Sequence, residues 1–101
     1  MRYYLLSPSH ELVPTEDLVE WAKAFELSRQ LISTRIGEKL VSTIFLGLDH
    51  NFGEGPPELF ETMAFDGRES IDEARCSTYV EAMEQHLTMC VKIWPKKKGS
   101  L

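Results

Sequence analysis

The chain has 101 residues, of which 43% are hydrophobic, and its formal net charge is −5. This length allows one domain, because two separate cores would each be too small to be stable, and the apolar content argues against a disordered chain. The acidic balance disfavours nucleic acid and anionic membranes as partners, because the electrostatic field of the protein repels phosphate.

The N-terminal third predicts a strand followed by a helix. Residues 2–7 are aromatic and aliphatic and end before a proline, which is typical of a short strand, and residues 9–14 are predicted to be a connector. Thr15 is expected to be the N-cap of a first helix that ends near Leu27 or Ser28. The buried stripe of this helix is expected to follow helical spacing, at Leu18, Trp21, Ala22 and Phe25.

The middle of the chain predicts antiparallel strands. Residues 30–36 favour a strand, and the turn at 37–38 leads into the next one, so a hairpin is expected. Residues 40–48 are apolar at both alternating positions, which indicates a central strand covered on both faces. Residues 59–65 are expected to pair beside it through a wide hairpin, and residues 73–76 to form a short edge strand.

A second helix is predicted near the C-terminus. Thr78 and Glu81 have the spacing of a capping box, and Pro95 limits the helix at its other end. His86 lies one position from the apolar stripe and is expected at the boundary of the core. The stripe itself is predicted to consist of Val80, Met83, Leu87, Cys90 and Val91.

These elements predict an α+β fold, in which two helices pack on one face of a mainly antiparallel sheet of four to five strands, in the order β-α-β-β-β-(β)-α. Since two helices leave the second face of such a sheet poorly covered, a homodimer is expected. The domain is predicted to span residues 1–95, followed by a flexible basic tail at 96–101.

No cofactor, metal or membrane association is predicted. The chain has no apolar run near the ~20 residues that cross a bilayer, and its first residues are too short for a secretory signal, so a cytoplasmic location is expected. Cys76 and Cys90 lack the spacing of zinc ligands, and a buried, inert thiol is expected at Cys90.

The polar loop over residues 49–57 has the composition of a functional site. An imidazole beside a carboxylate, as at Asp49 and His50, can serve as a general base or metal ligand, although neighbouring strand residues point to opposite faces. The spacing of the loop's ligand atoms matches neither a zinc nor a calcium site. In the alternative reading, Asp49 and Asn51 hydrogen-bond the backbone of the turn. The candidate ligand- or partner-binding residues are Asp49, His50, Asn51, Phe52, Glu54 and Glu61.

The segment Ser42–Gly53, continued by Gly55–Pro57 and Leu59–Met63, resembles a family of small uncharacterised proteins of bacteriophages, prophages and bacterial genomes. The similarity extends more loosely to the two helices, although Tyr79 stands where the family often has tryptophan. The resemblance implies a viral or mobile-element accessory protein, and it assigns no catalytic residues. Small phage proteins of this kind often bind host or defence components.

Two hypotheses about function follow. The first is a non-enzymatic accessory protein that binds a protein partner or small ligand through the 49–58 loop, whose polar groups would then not converge. The second is a small hydrolase or metal-binding enzyme, with His50 as base or ligand and Asp49, Glu54 or Glu61 assisting. This enzyme would need a pocket in which at least three of those groups converge.

Overall fold

The computed structural model describes residues 2–27, 29–49, 51 and 53–95. His50, Phe52 and the predicted basic tail at 96–101 lie outside the described residues. The strands and helices are β1 (Tyr3–Leu6), β2 (Leu12–Thr15), α1 (Leu18–Leu27), β3 (Gln30–Ile36), β4 (Lys39–Phe45), β5 (Phe60–Asp66), β6 (Glu69–Cys76) and α2 (Tyr79–Ile93). The predicted α+β class and its antiparallel strands are confirmed.

The larger sheet has the strand order β3-β4-β5-β6. Its two short hairpins have two-residue loops that begin with Gly37 and Gly67, whose φ angles are 61° and 62°. Glycine suits the first position of such loops because it adopts positive φ without steric cost. The predicted hairpin of β3 and β4, the central place of β4 and its pairing with β5 are all confirmed. The edge strand β6 begins four residues earlier than the predicted 73–76, because the short turn at Gly67 lets pairing start at Glu69.

The N-terminal region forms a second, two-stranded sheet, and here two predictions were wrong. Residues 12–14 of the predicted connector, together with Thr15, form β2 and pair with β1. Pro14 lacks a backbone donor but is tolerated because β2 is an edge strand. Helix α1 is capped by Asp17 rather than Thr15: Asp17 Oδ1 accepts the backbone N–H groups of Val19 and Glu20 at 3.1 and 3.0 Å.

The two helices serve different sheets. The predicted arrangement put both helices on one face of a single sheet, whereas α1 packs on β1 of the smaller sheet and α2 packs on β4, β5 and β6 of the larger one. Trp21 and Phe25 of α1 are half-buried rather than core residues, and Leu18 and Ala22 are exposed. The division into two sheets therefore leaves much of α1 in contact with solvent.

Helix α2 presents a different face to the sheet from the one predicted. Its predicted capping box is present at Thr78 and Glu81, but Val80, Leu87 and Val91 of the predicted stripe are exposed. The inner face instead consists of Ala82, His86, Met89, Cys90 and Ile93. On this inner face His86 finds hydroxyl partners on the sheet, as described below.

The core lies between α2 and the larger sheet, with a second part near the smaller sheet. The first cluster includes Val41, Ala64 and Ile93, and the second includes Phe45 and Phe60. The face of the larger sheet turned away from α2 carries half-buried apolar side chains at Leu40, Ile44, Met63 and Phe65. No helix among the described residues is long and apolar enough to cross a membrane.

Candidate functional site

The loop from Asp49 to Glu58 connects two neighbouring strands and begins against the smaller sheet. The Leu46 N–H donates to the carbonyl of Leu59 at 2.7 Å, which closes the neck of the loop. At the loop's start, the Asp49 N–H donates to the carbonyl of Arg2 at 3.3 Å. The loop thus leaves a fixed base where the two sheets meet.

Asp49 joins the two ends of this loop. Its Oδ1 atom accepts the backbone N–H of Asn51 at 2.8 Å and that of Glu58 at 3.1 Å. A carboxylate that accepts two backbone donors forms charge-assisted hydrogen bonds, which are stronger than neutral ones. The Asp49 side chain therefore connects its own end of the loop to Glu58, nine positions later in the sequence.

Asn51 organises the tip of the loop. Its Oδ1 atom accepts the Gly53 N–H at 3.1 Å, and its Nδ2 group donates to the carbonyls of Glu54 and Pro56 at 3.3 and 2.9 Å. The reading in which Asp49 and Asn51 bond the backbone of their own turn is confirmed. Five hydrogen bonds from two side chains thus connect the described residues of the loop.

The other candidate residues lie apart from this pair. The Glu54 side chain is exposed at the tip, and Glu61 is buried on β5, where it accepts a hydrogen bond from Arg75 Nε at 2.9 Å in an ion pair. His50 and Phe52 are outside the described residues. The described part of the chain contains no cluster of three or more His, Cys, Asp or Glu side chains suited to a metal ion.

A cleft of about 300 Å³ lies between the smaller sheet, α1 and the start of β3. The Trp21 and Phe25 rings stack at a centroid distance of 5.0 Å along its wall, and Trp21 Nε1 donates to the carbonyl of Gly47 at 3.0 Å. At its rim, His10 stacks on Tyr79 of α2 at 3.9 Å. Sequence reasoning missed this cleft, because its walls come from elements whose mutual placement depends on the β1–β2 pairing.

A buried polar network under α2 was also missed. His86 is 1% exposed rather than at the boundary of the core. Its Nδ1 atom lies 2.7 Å from Thr43 Oγ1, and its Nε2 atom lies 2.9 Å from Thr34 Oγ1. The network continues from Thr43 to Thr62 at 2.7 Å and from Thr62 to Gln85 Nε2 at 3.0 Å. The sequence signal was three threonines at inward-facing strand positions, which a hydroxyl-binding helix residue would satisfy.

Burial shifts the pKa of His86 and that of Cys76 on β6. Removal from water lowers the pKa of His86, so the neutral imidazole is the favoured form. Burial, reinforced by the nearby Glu81 carboxylate, raises the pKa of the Cys76 thiol to about 11. Cys76 is therefore a protonated, weakly nucleophilic thiol at neutral pH.

The chain was also compared with known proteins. It matches no protein-family model, no curated protein and no solved structure. The resemblance of the Ser42–Met63 segment to phage and prophage proteins therefore stays a prediction.

Proposed function

We propose that this chain is a non-enzymatic interaction module of the phage accessory type, which binds a host or defence protein in the bacterial cytoplasm through the Asp49–Glu58 loop. The observation that carries the proposal is the set of five hydrogen bonds by which Asp49 and Asn51 fix the loop's backbone. The family resemblance supplies the class of partner.

A loop fixed in this way is suited to recognition. Binding by a flexible loop costs conformational entropy, whereas a loop that already has its bound shape loses little on association. Residues 53–56 at the tip are exposed, so backbone and side-chain atoms there are accessible to a partner. In this proposal Asp49 and Asn51 hold the loop's backbone, and the exposed residues 53–56 form the surface that contacts the partner.

The same hydrogen bonds count against catalysis by this loop. The enzyme hypothesis has Asp49 assist His50, but Asp49 Oδ1 already accepts two backbone donors from its own loop. Glu61, a second proposed assistant, is held in its ion pair with Arg75. These two carboxylates therefore support a structural role in a binding surface better than an acid–base role.

The test uses immobilised protein and a charge reversal at the loop tip. Wild type, Glu54→Lys and the matched control Glu69→Lys, which changes an exposed glutamate at the β5–β6 turn, are exposed to bacterial lysate. A specific protein is expected on wild type and on the control, and after purification its dissociation constant should rise about tenfold or more for Glu54→Lys. Equal binding by all three proteins, or no specific binding by any, would contradict the proposal.

A further inference from the structure

Helix α2 carries an apolar stripe that the core does not use. Val80, Leu87, Val91 and Trp94 form this outer stripe and are 66%, 65%, 75% and 62% exposed. The inner face of the helix is complete without them, since five other residues of α2 are buried against the sheet. Isolated exposed apolar residues are ordinary, but three along one flank of α2, continued by Trp94 at its C-cap, mark an interaction surface.

The outer stripe lies on one flank of the helix. At 100° per residue its four members fall within about 60° of one another. Gln85 and Lys92 occupy the opposite flank, where they contact Ala74 and Asp72 of β6. The outer stripe therefore faces away from β6, on the side of the edge strand β3.

We infer that the outer stripe is the interface of a homodimer, in which the α2 helices of two copies pack antiparallel about a two-fold axis at Leu87. The spacing of the stripe suits this symmetry. Val80 lies seven residues before Leu87 and Trp94 lies seven residues after it. A two-fold axis at Leu87 therefore sets Leu87 against its own copy and each Val80 against the other copy's Trp94, as an isologous interface requires.

The shape of the surface agrees with this pairing. A depression of about 400 Å³ lies at the C-terminal end of the outer stripe, between Leu87, Val91 and Trp94. In the antiparallel arrangement this end receives the partner's Val80, so a small side chain meets the side of the large indole. The outer stripe spans about 21 Å along the helix, which is long enough for four turns of helix to pack.

The area is also adequate for association. Because aromatic side chains expose up to ~150–250 Å² and aliphatic ones less, the outer stripe presents on the order of 400–500 Å² in each copy. Two copies would bury about 800–1,000 Å² from the stripe alone, and the flanking residues bring the total near the lower range of stable interfaces. A second copy would thus cover the exposed outer stripe, and the buried area corresponds to a dimer of moderate affinity.

Sedimentation equilibrium over a range of protein concentrations tests the inference. We expect a dimer for wild type and a rise in its dissociation constant of roughly 30-fold or more for Leu87→Glu, since this change puts two carboxylates at the centre of the interface. Val19→Glu on α1 is the matched control, because Val19 is equally exposed at 65%, and it should leave the dimer intact. Circular dichroism establishes that both variants remain folded.

Cross-linking gives a second readout that depends on geometry. Under brief oxidation, Leu87→Cys should form a disulfide between copies, and Val19→Cys should not. A monomer at every concentration would overturn the inference. So would a dimer that survives Leu87→Glu but is lost in Ile44→Glu, which lies on the opposite face of the larger sheet. Glu54→Lys should leave the dimer unchanged, so a failure of this inference and a failure of the loop proposal are distinguishable.

Discussion

Asp49 and Glu58 stand at the two ends of the loop between β4 and β5, and the Asp49 carboxylate accepts the Glu58 backbone N–H at 3.1 Å. The same oxygen accepts the N–H of Asn51. A single side chain thereby makes the loop a closed unit. The loop's shape then depends on Asp49, and the shape in turn underlies the proposed recognition role.

Asp49→Ala should lower the free energy of unfolding by about 1–3 kcal/mol, because a half-buried, charge-assisted acceptor is lost from two backbone donors. Glu58→Ala is the control, because it keeps the backbone N–H that Asp49 accepts and should change stability by less than ~0.5 kcal/mol. Urea denaturation followed by circular dichroism measures both. If the two variants were equally stable, the two hydrogen bonds that Asp49 accepts would not stabilise the fold.

His86→Leu should destabilise the fold by about 1–3 kcal/mol, although leucine is apolar and of similar size. The change removes the imidazole partner of the half-buried Thr34 hydroxyl and one of the two partners of the buried Thr43 hydroxyl, whereas both hydroxyls stay removed from water to the same extent. Thr88→Ala, on the exposed face of the same helix, is the control. An unchanged or raised denaturation midpoint for His86→Leu would show that the network contributes nothing to stability.

The stability should also fall in mild acid. Burial lowers the pKa of His86 from its ordinary 6.5, so below that pH the unfolded chain binds a proton that the folded chain does not. The contribution of His86 to the free energy of unfolding is therefore constant well above the ordinary pKa and decreases as the pH falls from 6.5 toward the lower, folded-state pKa. A difference of one bound proton between the unfolded and the folded chain changes the free energy of unfolding by at most ~1.4 kcal/mol per pH unit.

Comparison with His86→Gln isolates this contribution. The pKa of Asp72 is lowered by Lys92 and by the Glu73 N–H. The stabilisation from Asp72 is therefore lost only as the pH falls below 3.8, which is outside the pH range in which His86 titrates. Urea titrations between about pH 7.5 and 5 should show a shallower loss of stability for His86→Gln than for wild type. Identical slopes would exclude His86 as the titrating group.

Gly47→Ala should be more destabilising than Gly67→Ala, by about 1–3 kcal/mol. Both glycines have φ near +60° to +70°, so alanine carries a similar backbone cost at each. Around Gly67 the new methyl group meets nothing within 4 Å, whereas at Gly47 it would lie 2.8 Å from Trp21 Nε1. Thermal denaturation of the pair measures the steric part alone. Equal losses would mean that Trp21 does not pack tightly on Gly47.

Local patterns in the sequence predicted the features that depend on neighbouring residues. The β3–β4 hairpin follows from the Gly37-Glu38 turn, the capping box from Thr78 and Glu81, and the self-bonded loop from short polar side chains. Each of these is decided within a few residues of chain. The self-bonded character of the candidate site was accordingly predictable, at least as one of two alternatives.

Features that depend on the register of distant segments could not be predicted in this way. Residues 9–14 were predicted to be a connector, so the smaller sheet and its cleft were missed. On α2, apolar periodicity favoured Val80, Leu87 and Val91 as the core face. The sheet instead selects His86, because Thr34 and Thr43 come from different strands and meet only in the folded sheet. An apolar stripe shows that a face is covered, but not which partner covers it.

The central claim is that Asp49 and Asn51 hold the 49–58 loop in one preformed shape. Amide hydrogen exchange of Asn51, Gly53 and Glu58, measured by NMR in the free protein, tests it most directly, because side-chain oxygens accept all three N–H groups. We expect these amides to exchange about tenfold or more slowly than in an unstructured peptide. In Asp49→Ala, Asn51 and Glu58 should lose that protection. Exchange at the rate of an unstructured peptide in the wild-type protein would contradict the claim, and with it the basis for assigning recognition to this loop.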